Sequence, residues 1–171
     1  MSDSCMCAAC ARRGQCCCEV LPEDIPHCFP LSQADVERIE AATGIPGKGI
    51  ARQETVPALV QSLERLFPEC KDLLQEKVQI GGQHLRLALE DGACVFLGSE
   101  GCTLPRDARP VYCRIYPFWV QKGSIMVFDT APCVQRAGAA GLDKLLSALD
   151  MDRKTVRRLF ATLLQEWFPE R

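Results

Sequence analysis

The chain lacks a charge of either sign in excess, is poor in aromatics and has almost no histidine: its formal net charge is −2, only 6% of its residues are Phe, Trp or Tyr, and it has 2 His. With no basic excess there is no electrostatic pull towards nucleic acid or an anionic membrane surface. No apolar run is long enough to span a bilayer. The opening Met1-Ser2-Asp3-Ser4-Cys5-Met6-Cys7 has an early acid, no basic start and no apolar stretch, so a secretory signal is not expected and the expected location is the cytoplasm. A radical-enzyme CxxxCxxC motif, a dinucleotide fingerprint and a Ser/His/Asp catalytic set are all missing. The glycines of Gly44-Ile45-Pro46-Gly47-Lys48-Gly49 do not make a phosphate loop, because no strand precedes them and no Ser or Thr follows the lysine.

What is abundant is cysteine, with 12 in 171 residues. Hydrophobic residues at 47% and charged residues at 25% describe one globular domain over residues 1–171, long enough to bury a core. Cysteines at this density form disulfides in an oxidising compartment and hold metal in a reducing one. The cytoplasmic expectation selects metal, with disulfides as the alternative.

The pattern along the chain predicts an α+β fold: a small cysteine-rich metal-binding domain with three or four helices, a small antiparallel sheet and metal-organised loops. Residues 1–30 show no period of two or of 3.6 and read as a cysteine-rich opening loop. Ser32 with Asp35 three residues on predicts a helix start, Val36 and Ile39 lie on its apolar side, and Gly44 stops it. A second helix is expected over 57–67, ended by Pro68, with a further turn at 70–76. Val78, Ile80, Gly81-Gly82, Leu85, Leu87 and Leu89 read as a hairpin, and 94–97 and 125–128 as short strands. Residues 142–168 are expected to be helical, divided near Met151-Asp152 with Asp152 as a cap, and to pack their leucines on the second helix and the sheet.

Cys7-Ala8-Ala9-Cys10 is a CxxC pair whose two sulfurs can converge on one ion. Cys16, Cys17 and Cys18 follow. Three adjacent side chains are expected to diverge, so one or two of them should join the site. Cys94, Cys102, Cys113 and Cys133 lie far downstream, spaced too widely for a zinc ribbon and suited to a site assembled by folding. A CxxC pair supplies two ligands and a closed site needs four, so Cys7 and Cys10 are expected near some of Cys94, Cys102 and Cys113. Four thiolates around Zn²⁺, or around a 4Fe–4S cluster, leave a charge of −2 that amides and cations must balance; Arg12, Arg13, Arg106, Arg109 and Arg114 are near candidate ligands. Cys5 and Cys18 are spare thiols beside the pair. Cys28 and Cys70 read as packing residues, His27 as a surface or core residue beside Cys28, and His84 as a strand residue without a role. Tyr112, Tyr116, Phe118 and Trp119 are expected as an apolar shell.

Cys7-x-x-Cys10 followed by Cys16-Cys17 resembles the zinc- or iron-chelating cysteine-cluster family (YkgJ-type, motif CxxCxxCC). So do Gly92-Ala93-Cys94-Val95-Phe96-Leu97, Gly101-Cys102-Thr103 and Arg109-Pro110-Val111-Tyr112-Cys113-Arg114-Ile115-Tyr116-Pro117-Phe118, and Leu31-Ser32-Gln33-Ala34-Asp35 is similar to the family's first helix. The family has two residues between its second and third cysteines where this chain has five, which leaves open which of Cys16, Cys17 and Cys18 match the pair. The resemblance implies metal ligation by Cys7, Cys10, Cys16, Cys17, Cys94, Cys102 and Cys113, with Cys133 as an eighth ligand that would complete two four-thiolate sites. It implies zinc or an iron–sulfur cluster as cofactor, and a metal-binding module as function. The alternative it implies is an iron–sulfur enzyme related to flagellin lysine N-methylase. A zinc-stabilised interaction domain using the charged C-terminal helix is a third reading.

Overall fold

The computed structural model describes residues 5–14, 16–129, 131–137 and 141–170, with the backbone alone at Cys5, Met6, Arg136 and Ala137. The cysteine-dense opening contains a helix, α1 (Cys5–Arg13), where a loop was expected. Ala8, Ala9, Arg12 and Arg13 are strong helix formers and outweigh the indifferent cysteines. Cys7 and Cys10 therefore sit one turn apart on a common face rather than in an irregular knuckle. After a 3₁₀ turn at Ile25–His27, α2 (Gln33–Thr43) begins as expected. Ser32 Oγ accepts from the Asp35 amide at 3.0 Å and Asp35 Oδ2 accepts from the Ser32 amide at 3.0 Å, a reciprocal capping box. Gly44, at φ 67°, ends the helix in the left-handed region.

Next come β1 (Ile50–Glu54), α3 (Pro57–Leu66), α4 (Lys71–Lys77) and β2 (Gln83–Leu87). The hairpin expected around Gly81-Gly82 does not form, since Val78 is the C-cap of α4 and β2 pairs antiparallel with β1, Ile50 opposite Leu87 and Glu54 opposite Gln83. The two glycines bond Thr55 instead: the Thr55 amide donates to the Gly82 carbonyl at 2.9 Å and the Gly81 amide to the Thr55 carbonyl at 3.0 Å. That pair aligns the chain with β1 and leaves α3 and α4 as the connection between the strands. Four two-residue strands follow, β3 (Leu89–Glu90), β4 (Ala93–Cys94), β5 (Leu97–Gly98) and β6 (Gly101–Cys102), then α5 (Val111–Ile115), β7 (Phe118–Gln121), β8 (Ser124–Val127), α6 (Pro132–Ala137), α7 (Leu142–Ala148) and α8 (Arg153–Trp167).

Among the described residues the architecture is α+β, with eight α-helices and four separate two-stranded antiparallel ladders rather than three or four helices and one sheet. None of these helices is long and apolar enough to cross a membrane. The main core joins Leu59 and Leu63 of α3, Val111 and Ile115 of α5, Phe118 and Trp119 of β7, and Val156, Leu159 and Leu163 of α8. α8 is capped by Asp152, which accepts from the Thr155 amide at 2.6 Å. It packs chiefly on α5 and on the strands of the β7–β8 hairpin, and its Leu159 and Leu163 share the main core with Leu59 and Leu63 of α3, as expected of the second helix and the sheet. A second, smaller core holds Ile39, Cys94, Phe96 and Leu104.

The buried carboxylate of Asp35 ties three helices together. Besides the Ser32 amide it accepts from the Val111 amide of α5 at 2.9 Å and pairs with Arg38. Arg38 also holds Glu166 of α8 at 2.6 Å, and Glu166 accepts from Ser32 Oγ at 3.0 Å. Asp35→Ala should therefore destabilise the protein by about 2–4 kcal/mol in urea unfolding, because it orphans two buried amides and removes one partner of the half-buried Arg38. A loss below about 0.5 kcal/mol, the range of plain surface changes, would show that this carboxylate is not what joins α2 to α5.

Candidate metal centre

Cys16, Cys17 and Cys18 lie in a reverse turn closed by the Glu19 amide, which donates to the Cys16 carbonyl at 3.0 Å. The expectation that three adjacent cysteines diverge is corrected here: their Sγ atoms all lie within 4.8 Å of one another. Side chains alternate along a strand, but a tight turn folds consecutive residues around one centre. The Cys18 amide donates to Cys16 Sγ at 3.2 Å, and Glu19 accepts from the Cys16 amide at 2.7 Å. Hydrogen bonds from the Cys17 and Cys18 thiols hold the Cys16 thiol well below the ordinary cysteine range. Donating to Cys16 pushes Cys17 and Cys18 upward in turn. The turn therefore favours ionisation of one thiol solvated by its two neighbours, and a cation can replace their protons. These three sulfurs can hold a metal ion.

Backbone pairing brings the second half of the chain against this turn. The Cys94 amide donates to the Cys18 carbonyl at 2.7 Å, the Val20 amide donates to the Gly92 carbonyl at 2.7 Å, and Glu19 and Ala93 form an antiparallel bridge. Cys94 is buried in the small core, with Cys18 and Cys102 packed against it. Arg109 clamps the Cys102 carbonyl at 3.1 Å and the Leu104 carbonyl at 3.0 Å. Two residues later the chain enters α5, which carries Cys113 and whose first amide is bound by Asp35. Burial pushes the Cys113 thiol up, and the charges of Cys18, Cys94 and Cys102 push it further. Cys94 is likewise raised by burial and then by Cys102, Cys16 and Cys28. Cys17 and Cys113 nevertheless present exposed surface.

Cys16, Cys17, Cys94, Cys102 and Cys113 are thus brought into one region, together with Cys18, which had read as a spare thiol. Its adjacency to the pair was the only signal in the sequence. Cys28, read as a packing residue, is half-buried and near enough to raise both Cys94 and Tyr112. Cys7, Cys10 and Cys133 form a different neighbourhood, where α1 packs on α6. α1 also packs on β6, so the opening CxxC does lie beside the Cys102 segment. Among the described residues, no set of three ligand atoms within 4.8 Å of one another includes Cys7, Cys10, Cys94, Cys102, Cys113 or Cys133. Cys70 is buried in the main core at the N-cap of α4, as a packing residue should be. The side chain of Cys5 lies outside the described residues.

The surrounding shell is aromatic, with Phe29 stacked on Tyr112 at 4.1 Å and Tyr116 on Phe128 at 5.7 Å. Of the expected arginines, Arg109 serves the site through the Cys102 carbonyl, whereas Arg12 pairs with Glu100 at 2.6 Å and Arg106 reaches the Leu149 carbonyl at 3.4 Å. His27 is exposed and buried His84 has Nδ1 2.9 Å from Thr55 Oγ1, and among the described residues neither histidine joins a set of three ligand atoms within 4.8 Å of one another.

Burial pushes the Cys133 thiol from 9.0 up to about 11, with Cys10 and Cys7 adding to the shift. Below the lower value both folded and unfolded chains keep the proton. Above it only the unfolded chain ionises, so this residue's share of stability falls as pH rises through that window. Metal-free, reduced protein should lose about 2–3 kcal/mol on this account between those limits. Urea unfolding across the window checks it, and a Cys133→Ala variant with the same alkaline slope would contradict it. Compared with known proteins, the chain matches no family model, no curated protein and no solved structure.

Proposed function

We propose that this protein is a zinc-binding module whose ion is held by the three thiolates of the Cys16–Cys18 turn and completed by one thiolate of the second half, drawn from Cys94, Cys102 and Cys113. The observation that carries the reading is the convergence of three sulfurs within 4.8 Å. A tetrahedral zinc with bonds near 2.3 Å sets its sulfurs about 3.8 Å apart, so small side-chain rotations would close the set. In an iron–sulfur cubane each thiolate binds a different iron and neighbouring sulfurs stand wider apart, so the turn suits a single ion better. The amide of Cys18 already donates to Cys16 Sγ, and such bonds to sulfur offset the charge of a tetrathiolate site. Membership of the YkgJ-type cysteine-cluster family, and the reducing cytoplasmic setting that goes with it, belong to this proposal and are supported by the motifs and cysteine usage. Nothing among the described residues favours the methylase-like alternative.

Anaerobic purification followed by metal analysis and a visible spectrum tests the reading. A colourless protein with at least one zinc per chain is expected, and a brown chromophore with bound iron would replace zinc by a cluster. Cys17→Ser should lower the metal content while Cys70→Ala leaves it unchanged. Equal metal in the two variants would remove the turn from the site.

A further inference from the structure

The turn that gathers Cys16, Cys17 and Cys18 also places two of them for a covalent bond. Their Sγ atoms lie within 4.8 Å of one another, so rotation about side-chain bonds can bring a pair into contact. The backbone decides which pair. A disulfide holds its Cα atoms about 4.4–6.8 Å apart, whereas neighbours across a trans peptide are fixed about 3.8 Å apart. Bridges between Cys16 and Cys17 or between Cys17 and Cys18 are therefore strained. Cys16 and Cys18 are two such steps apart, bent to roughly a right angle by the turn, which gives about 5.4 Å. The Cys18 amide donates to Cys16 Sγ at 3.2 Å, so the Cys16 side chain is already folded towards residue 18. The frame around the pair is braced: Glu19 accepts from the Cys16 amide at 2.7 Å, and the Cys94 amide donates to the Cys18 carbonyl at 2.7 Å. We propose that the turn is a redox switch, in which a hydroperoxide joins Cys16 to Cys18 as a disulfide and releases the ion. This inference rests on the zinc reading of the same turn.

Cys17 is exposed, Cys18 half-buried and Cys16 buried, so oxidant meets the outer sulfurs and Cys16 resolves. With hydrogen peroxide, the Cys18 thiolate attacks one oxygen, an S–O bond forms, the O–O bond breaks and hydroxide leaves. The Cys16 thiolate then attacks the Cys18 sulfur, forming the S–S bond and expelling the second oxygen as hydroxide. The two sulfurs give up two electrons, the peroxide takes them, and both hydroxides leave as water after taking a proton each. Oxidation at Cys17 reaches the same product. Cys18 displaces hydroxide from the Cys17 sulfur, and Cys16 then attacks Cys18 and expels the Cys17 thiolate from the strained bridge. The finished bridge removes two of the three turn ligands. Cys17 and one thiolate of the second half remain, two donors where a closed zinc site needs four. A dithiol reductant reverses the change by thiol–disulfide exchange.

The test uses the full-length chain, reduced, in zinc-loaded and chelator-stripped forms, each treated with equimolar hydrogen peroxide. Remaining thiols are alkylated and located by mass spectrometry, and released zinc is read with a chromogenic chelator. Cys17 should carry the label while Cys16 and Cys18 do not, with zinc lost in proportion to the bridge and regained after dithiothreitol. In the stripped chain, an arm that needs no metal, Cys18→Ser should return the label to Cys16, whereas Cys70→Ala should leave Cys16 protected. Label on both Cys16 and Cys18 after oxidation, a bridge from either to another cysteine, or zinc retained by bridged protein would overturn the switch. A reduced chain that binds no zinc sinks the zinc reading and the release with it, even where the bridge forms. A zinc-loaded chain that peroxide leaves unbridged sinks the switch alone.

Discussion

Asp35 sits where α2, α5 and α8 meet, and its buried carboxylate is shared among the amides of Ser32 and Val111 and the guanidinium of Arg38. A buried charge is stable only when its lone pairs are filled, so each of these partners is held where the carboxylate needs it. The consequence reaches the cysteines. Val111 opens the helix that carries Cys113, and the Arg109-Pro110 segment before it is fastened to the Cys102 and Leu104 carbonyls. One carboxylate on the first half of the chain thereby sets the position of thiols on the second half. Arg38 extends the same tie to Glu166 near the end of α8.

The thiols gathered by this framework are not at ease without a cation. Burial and the charges of their neighbours push Cys94 and Cys113 above their ordinary range, and Cys16 can be a thiolate only because Cys17 and Cys18 donate to it. Ligands must be deprotonated to bind, so a metal would displace the thiol protons and add cohesion between the turn and the strands that flank it. The second core around Ile39, Cys94, Phe96 and Leu104 is small, and cysteines make up part of its edge. It is also closely fitted: a Cβ on Gly49, at φ 73°, would come within 2.2 Å of the Phe96 ring. Such a core has little apolar area with which to hold itself together, and that is where an added ion would contribute most.

Local signals were legible wherever they act within a few residues. The Ser32–Asp35 capping box, the stop at Gly44, the Pro57 start of α3 and the Asp152 cap of α8 all stand where the residues suggest. α1 was not legible, because cysteine has no strong helix preference and the segment is too short for its alanines and arginines to set a helical period of apolar residues. The partner of β2 was not legible either. Its pairing with β1 spans two helices, and nothing local distinguishes that partner from the nearer residues 78–80.

The sequence by itself determined the chemistry on offer: many thiols, few histidines, and an α+β pattern with capped helices. It also marked the downstream cysteines as ones that only folding could assemble, since their spacing exceeds the reach of a local loop. Only the tertiary structure decided how the thiols are grouped. A reverse turn makes Cys16, Cys17 and Cys18 converge, a β-bridge lays Cys94 beside them, and the packing of α1 on α6 draws Cys7, Cys10 and Cys133 aside. The physical reason is that a side chain's identity is local, whereas the distance between two side chains far apart in the chain depends on every contact that folds the segment between them.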